Sequence, residues 1–498
     1  MGIVGWARWA WRLLTSMRTA LILLFLMALA SIPGSLLPQR GIVPEDVVAF
    51  YKENPTLAEV FDRLWLFDVF AAPWFAAIYL LLFTSLTGCV LPRLRKHLAE
   101  IRRKPPAAPR NLNRLPHHGS YRTDVEGEQA LAAAQTLLRK RRYRVVAGPG
   151  WVAAEKGYLR ETGNLFFHFA LLGLLFAIGA GALYGYRANV IVTEDEGFAN
   201  TVAVYDKYTP GSLATEESLH PFSFQLDDFN ATYVLQGDRR GQALDFVARL
   251  RVQDRPGAPE RTFDLRVNEP LETGGAQVYL LGHGYAPTFR VVDGEGKVAF
   301  DGPVPFLPAE QATFTSEGVL KVPDAKPAQL GALGLFLPTT VPVGEGFGSA
   351  FPGMINPTVN LFAYHGDLGL RKGPQSVYQL DTDEMTLAAK TEKPLNVGET
   401  LTLPEGRGSI TFTGVREWIS LQIAYDPGRL PALIASSVAV LSLVLSLTVR
   451  RRRVWVRLSD GNLEVGGLLK TEGSADGFAG EFGDIVTSLR GVVQPVKE

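Results

Sequence analysis

Position 168 is a histidine inside residues 163–186, a stretch whose side chains are otherwise almost all apolar. An ionisable ring in a run of that length costs free energy unless it is paired or put to use, so it marks a candidate site. Three chemistries are open to the imidazole: a hydrogen bond that packs one helix on another, a station in a proton relay, or ligation of a group that enters the apolar layer. No Asp or Glu within the apolar stretches lines up with it, which leaves the relay without a second station. The ring lies about 8 Å of helix beyond Gly163, so a ligand would reach it from that end. At about 100° per residue, Gly173, Ala177 and Gly181 form a small-residue stripe, and His168 falls about 140–220° away from it, in line with Leu172, Leu175 and Gly179. A helix that packs by its small face and offers His168 elsewhere is expected.

The remaining reactive residues are few. Cys89 is the single cysteine, so there is no CxxC pair and no CxxCH haem-attachment site. The chain is neither a thiol oxidoreductase nor itself a c-type cytochrome. Cys89 could ligate a metal as thiolate, but apolar surroundings favour the neutral thiol and a packing role. Arg160, just before residues 163–186, is placed to meet an anionic group or a lipid headgroup. His283, in Gly282-His283-Gly284-Tyr285, reads as a loop residue, and His220 and His365 as surface or turn residues. His97, His117 and His118 fall in a basic segment, where the adjacent pair lacks the further ligands of a structural metal site. Gly-rich phosphate loops and nucleophile triads are absent from the pattern.

Three further stretches share the apolar character of 163–186: residues 19–38, 72–92 and 428–449. Each holds about 20 residues, matching a hydrocarbon core of about 30 Å. The balance of 50 Lys and Arg against 50 Asp and Glu hides this, because long polar segments dilute the spans. Basic residues flank three of the span ends: Arg8, Arg12 and Arg18; Arg93, Arg95, Lys96, Arg102, Arg103 and Lys104; and Arg450 to Arg453. They read as topology and lipid contacts, not nucleic-acid binding. The connection between the first two spans is net acidic. Both termini are therefore expected in the cytoplasm, or stroma, and residues 187–427 outside. The first span could also be a cleaved signal peptide, with Ala28-Leu29-Ala30 as its small-residue site.

Residues 187–427 alternate with period two. Leu244, Phe246, Ala248, Leu250 and Val252 share one face of residues 243–253, and Phe263, Leu265 and Val267 one face of 262–268. Asp293-Gly294 divides 289–292 from 297–300 as a hairpin. Further strands are expected at 222–226, 358–364, 377–380 and 409–413, giving one large β-sandwich-like domain. On the other side of the membrane, residues 105–162 open with a Pro-rich linker and continue as strand 119–123, helix 126–140, and strands 143–146 and 151–155. The tail 450–498 offers strands 454–458 and 463–468 about an Asp460-Gly461 turn, then a helix at 478–489. The two pieces are short for separate cores and are expected to fold together. The expected fold class is thus an integral membrane α-helical protein, four spans in a 3 + 1 arrangement, with a large extracytoplasmic all-β domain and a small cytoplasmic α+β unit. The boundaries are 1–104, 105–162, 163–186, 187–427, 428–449 and 450–498.

Four segments resemble ResB-type cytochrome c biogenesis proteins: LFDVFAAPWFAAIYLLLFTSLTGCVLPR (66–93), GNLFFHFALLGLLFAIGAG (163–181), LRVNEPLETGGAQVYLLGHGYAP (265–287) and YDPGRLPALIASSVAVLSLVLSLTVRRRRVWVRL (425–458). The resemblance covers nearly the whole chain and includes the intramembrane histidine of the third span. It implies a subunit of a System II cytochrome c haem-attachment complex in a cell or thylakoid membrane. Such a subunit works with a CcsA/ResC-type membrane partner, carries haem b outward, and supports its ligation to the CxxCH cysteines of apocytochrome c, with a thioredoxin-like reductant. The tryptophan-rich haem-handling motif of the partner family has no counterpart here, which fits a chain that is not an enzyme alone but part of a haem lyase. On this reading His168 is an axial ligand and Arg160 meets a propionate, while His283 and Cys89 are lesser candidates for haem contact. Two other classes stay open: a membrane-anchored β-domain assembly factor without haem ligation, and a transporter of another amphipathic solute, for which no inverted repeat or broken, charged helix is present.

Overall fold

A computed structural model describes residues 2–372, 376–459, 461–469 and 476–493. The chain forms two compact units, Met1–Gly179 with Gly428–Glu498, and Ala180–Pro427.

The first unit holds helices α1 (Ile3–Leu14), α2 (Met17–Leu36), α3 (Pro44–Glu53), α4 (Pro55–Arg63), α5 (Pro73–Arg102), α6 (Gly127–Lys140), α7 (Leu159–Tyr184, of which the residues from Ala180 on count with the second unit), α8 (Arg429–Thr448) and α9 (Asp476–Val493). Among the described residues, α2, α5, α7 and α8 are long and apolar enough to cross a membrane, with 11–17% of each apolar window buried inside the protein. Most of their apolar surface faces outward, as a lipid-contacting helix requires. Two ends differ from the sequence reading. Helix α5 does not stop at Pro92 but carries on to Arg102, because a proline interrupts only one turn of backbone bonding and neighbouring helices hold the rest. Helix α7 begins at Leu159, so Arg160 and Glu161 belong to its first turn. The connection between α2 and α5 also folds, into α3 and α4 around Val47, Ala58 and Phe67.

Small residues set the helix contacts. A Cβ on Gly163 would come within 2.8 Å of the Ser442 carbonyl, and one on Gly173 within 3.6 Å of Ala435, so α7 meets α8 by its glycine side. Its other side meets α5, where the Tyr79 hydroxyl donates to the Leu175 carbonyl. Helix α5 also grips the α1–α2 elbow: Ser85 Oγ donates to the Leu14 carbonyl at 2.6 Å, and Gly88 lies where a Cβ would strike Thr15.

Residues 105–162 and the tail share one five-stranded antiparallel sheet, ordered His117–Arg122, Asn462–Leu469, Arg452–Ser459, Trp151–Lys156, Arg144–Gly148. The two tail strands lie between strands of the loop. Helices α6 and α9 close one core through Ala134, Leu138, Val456, Phe478 and Ile485. Neither piece could complete that core alone, which is why they join. Asp460 of the expected turn lies outside the described residues; Gly461 has φ 74°.

The second unit is β-rich, with sheets of seven, six, four and two strands. It has two cores, not one. Strands Ala276–Asp293 and Gly408–Tyr425 pair along most of their length and pass through both. At one end Val278, Leu280, Ile419 and Leu421 face Leu226 and Leu250 of the four-stranded sheet. At the other, Phe289, Val291, Ile410 and Phe412 face Leu320, Phe336 and Leu361 of the six-stranded sheet. Register shifts at Leu280/Gly282 and Thr288/Phe289 supply the extra twist that lets one strand pair serve two sandwiches. The alternation at 243–253 is realised in its second half, where Ala248, Leu250 and Val252 are fully buried, whereas Leu244 at the start of the strand is exposed. The strand expected at 377–380 is not formed; residues 376–380 are turn and coil, and Leu380 instead covers Gly331 of a neighbouring strand.

Candidate functional site

Helices α2, α5 and α7 enclose a cavity of about 480 Å³, lined by Leu24, Leu86, Cys89, Arg93, Phe167 and His168 among others. Its walls are nearly all aliphatic or aromatic, and His168 and Arg93 are the side chains there that titrate or carry charge apart from the Cys89 thiol. The histidine is half-buried. Its Nδ1 lies 2.7 Å from the carbonyl oxygen of Asn164, one turn earlier on α7. A carbonyl only accepts, so this bond requires the proton on Nδ1 and leaves the lone pair of the neutral ring on Nε2. That is the tautomer and the second contact a metal-ligating histidine uses. The Phe167 ring stands edge-on to the imidazole, centroids 5.4 Å apart.

A second cavity, about 400 Å³, lies at the polar ends of α5 and α7 and is lined by Arg93, Lys96, His97, Arg160, Glu161 and Asn164 among others. Arg93 and Lys96 reach it because α5 runs past Pro92. In the sequence they read only as topology signals; a helix continued through that proline would have placed them here. His97 is buried in α5, not in a loop, with Nε2 2.9 Å from Thr162 Oγ1. Arg451, expected at a lipid surface, is buried instead. Its Nη1 bonds Glu161 at 2.7 Å and Glu100 at 2.9 Å, its Nε bonds Glu155, and its guanidinium lies 4.6 Å from the Tyr158 ring centre. Burial alone would lower its pKa, but Glu161, Glu100 and Glu155 outweigh that and raise it.

Cys89 donates its thiol hydrogen to the Thr15 carbonyl at 2.9 Å. It lines the His168 cavity while fastening α5 to the α1–α2 elbow.

His283 is far from the loop position expected of it. It lies mid-strand in Ala276–Asp293, is 6% exposed, and stacks on Phe314 with centroids 4.7 Å apart and planes 19° apart. Its Nε2 is 3.1 Å from the Tyr233 hydroxyl, and its Nδ1 has no partner among the described residues. Burial pushes its pKa down to about 4. The four-residue window Gly-His-Gly-Tyr suggested a turn; in the fold Gly284 makes room for Trp418, whose ring a Cβ there would strike, while a Cβ on Gly282 would meet only open space. His117 packs against Phe478 and, being on adjacent residues of one strand, points away from His118. Among the described residues no group of three or more His, Cys, Asp or Glu side chains could hold a metal ion. His365 Nδ1 meets Arg407 at 2.8 Å and His220 packs on Tyr425.

Four helices of spanning length, a histidine-bearing cavity among three of them and a β-rich unit inserted between the last two fit a multi-pass membrane protein. Matched over residues 17–483, the chain belongs to the ResB-like family. It is 27% identical over 464 residues to a protein of Thermosynechococcus vestitus named cytochrome c biogenesis protein CcsB, covering 91% of this chain and 90% of that one. Proteins of the same name from Synechococcus elongatus (26% identity, 92% and 88% covered) and Microcystis aeruginosa (25%, 97% and 96%) are similar along their length.

Proposed function

We propose that this chain acts in cytochrome c maturation as the haem-carrying membrane subunit of a System II haem-attachment complex, with His168 as an axial ligand. The observation that carries the reading is the pairing of an apolar, haem-compatible cavity with an imidazole whose Nδ1 is tied to Asn164 and whose Nε2 is left to bind iron. Family membership and relatives named for cytochrome c biogenesis support it. Haem b is the cargo. A CcsA/ResC-type protein supplies the opposite ligand and most of the attachment site, so no catalytic step is assigned to this chain alone. By the distribution of Lys and Arg, the termini and the five-stranded unit face the cytoplasm or stroma and the β-rich unit faces outward to apocytochrome c and a thiol reductant. Arg160 is assigned to a propionate.

Co-expression with the partner and apocytochrome tests this. His168→Ala should abolish the haem absorbance that copurifies with the complex, and His168→Gly should recover it when imidazole is added. A variant without the ring that matures cytochromes as well as the parent would leave only the alternative, a membrane-anchored β-domain assembly factor.

A further inference from the structure

We propose that the polar cavity at the ends of α5 and α7 is the carboxylate-recognition half of the His168 site, with Arg93 and Lys96 joining Arg160 to hold the acid end of the ligand. This inference rests on the haem reading and fixes the orientation of the cargo: iron toward the middle of α7, propionates toward the basic ends of the helices.

Three observations carry it. First, the apolar and polar cavities share Arg93 as a wall residue, so one amphipathic ligand can occupy both. His168, Asn164 and Arg160 follow one another at intervals of four on α7, which places the guanidinium-bearing turn about 12 Å of helix from the imidazole turn. Haem, with ligating iron at its centre and both acids on one edge, has that polarity. Second, the negative charge in the polar cavity is already engaged. Glu100 and Glu161 line it, but both are bound by the buried Arg451 at 2.9 and 2.7 Å, and Glu161 also faces His97 Nδ1 at 3.7 Å. Arg451 is buried behind these carboxylates, so it acts as an internal counter-ion and leaves Arg93 and Lys96 as cations on the cavity wall. Third, among the described residues Arg93 has no carboxylate within ion-pair distance: its Nη2 contacts the Met17 thioether at 3.3 Å, a weak acceptor. A guanidinium positioned at the boundary of an apolar cavity without an anion is completed by a carboxylate or phosphate oxygen. A lipid headgroup offers the same chemistry as a propionate, and the test separates the two.

The full-length protein, reconstituted in nanodiscs of either neutral or anionic phospholipid, would be loaded with haem or with haem dimethyl ester, and retention read from the Soret band after gel filtration. Wild type should retain the diacid about tenfold better than the ester in neutral lipid, as expected for one or two charge-assisted bonds. The double variant Arg93→Gln, Lys96→Gln should lose that preference while retaining the ester as before, which also reports that the cavity is still folded. Equal retention of diacid and ester by wild type, or an equal fall for both in the variant, overturns the proposal. So does a variant effect seen only in anionic lipid, which assigns the cations to headgroups. If His168→Gly lowers both forms while the charge variant lowers neither, haem carriage stands and its orientation does not; if wild type retains neither form, both readings fall.

Discussion

The helical unit and the β-rich unit each hold one conspicuous imidazole, and the two are held in opposite ways. In α7, Nδ1 of His168 is satisfied by its own helix backbone and Nε2 is left at the wall of an apolar cavity. In the β unit, Nε2 of His283 is tied to Tyr233 while the ring is clamped among Phe314, Phe246 and Phe229, and Nδ1 has no described partner. Bonding through Nδ1 to a carbonyl orients a ligand. Stacking on one ring with tilted aromatic neighbours around it immobilises a core residue. Residue type alone does not make a ligand; what surrounds the second nitrogen does.

The sharpest way to break this contrast is to remove each ring in turn. His168→Ala should eliminate copurifying haem, at least about tenfold, with the fold kept, whereas His283→Ala should leave haem bound. Soret absorbance normalised to protein decides it, and a His283→Ala protein without haem would make the β unit part of the haem path. For stability the order reverses. Loss of the stacked ring should destabilise the β unit by about 2–4 kcal/mol, visible as faster amide exchange in strands Ala276–Asp293 and Gly408–Tyr425, while His168→Ala should change exchange there by little.

A pH series sharpens the same distinction. Glu417, across from Tyr285 on the paired strand, has its pKa raised from 4.5 to about 8 by burial first and by Glu194 and Asp228 second. A carboxyl with a raised folded-state pKa stabilises fully below the unfolded value, and that contribution is lost as pH climbs to the folded one. The β unit should therefore weaken between pH 4.5 and about 8 from this group, and Glu417→Gln should flatten that slope, gaining about 2 kcal/mol at the alkaline end. Chemical denaturation at several pH values measures it. His283 works in the other direction: its pKa is depressed from 6.5 to about 4, so its contribution is present above pH 6.5 and lost as pH falls to about 4.

The smallest expected effect belongs to Cys89. Cys89→Ala removes one weak hydrogen bond to Thr15 and should cost about 1 kcal/mol or less, with the Soret maximum unmoved. A shifted maximum would mean that the thiol reaches iron.

Much of this was legible in the residues. Runs such as 163–186 and 428–449 declare spanning helices because apolar length is a one-dimensional property, and the period-two pattern of 243–253 declares a strand because alternation is local. The small stripe of α7 and the separate face of His168 followed from helical geometry alone. Other features needed partners far away in the chain. Pro92 looked like an end because the contacts that carry α5 through it come from other segments, and only that continuation brings Arg93 and Lys96 beside Arg160. Arg451 looked like a surface charge because Glu100, Glu155 and Glu161, which bury it, are about three hundred residues earlier. His283 looked like a loop because glycine neighbours mean turns locally, whereas here Gly284 admits the Trp418 ring from the adjacent strand. Composition and periodicity, being sums over neighbours in sequence, determined the elements and the one costly histidine. The pairing of charges, the division of the β region into two cores and the surroundings of each imidazole were decided by tertiary structure, because they depend on which side chains a long-range fold brings within a few ångströms.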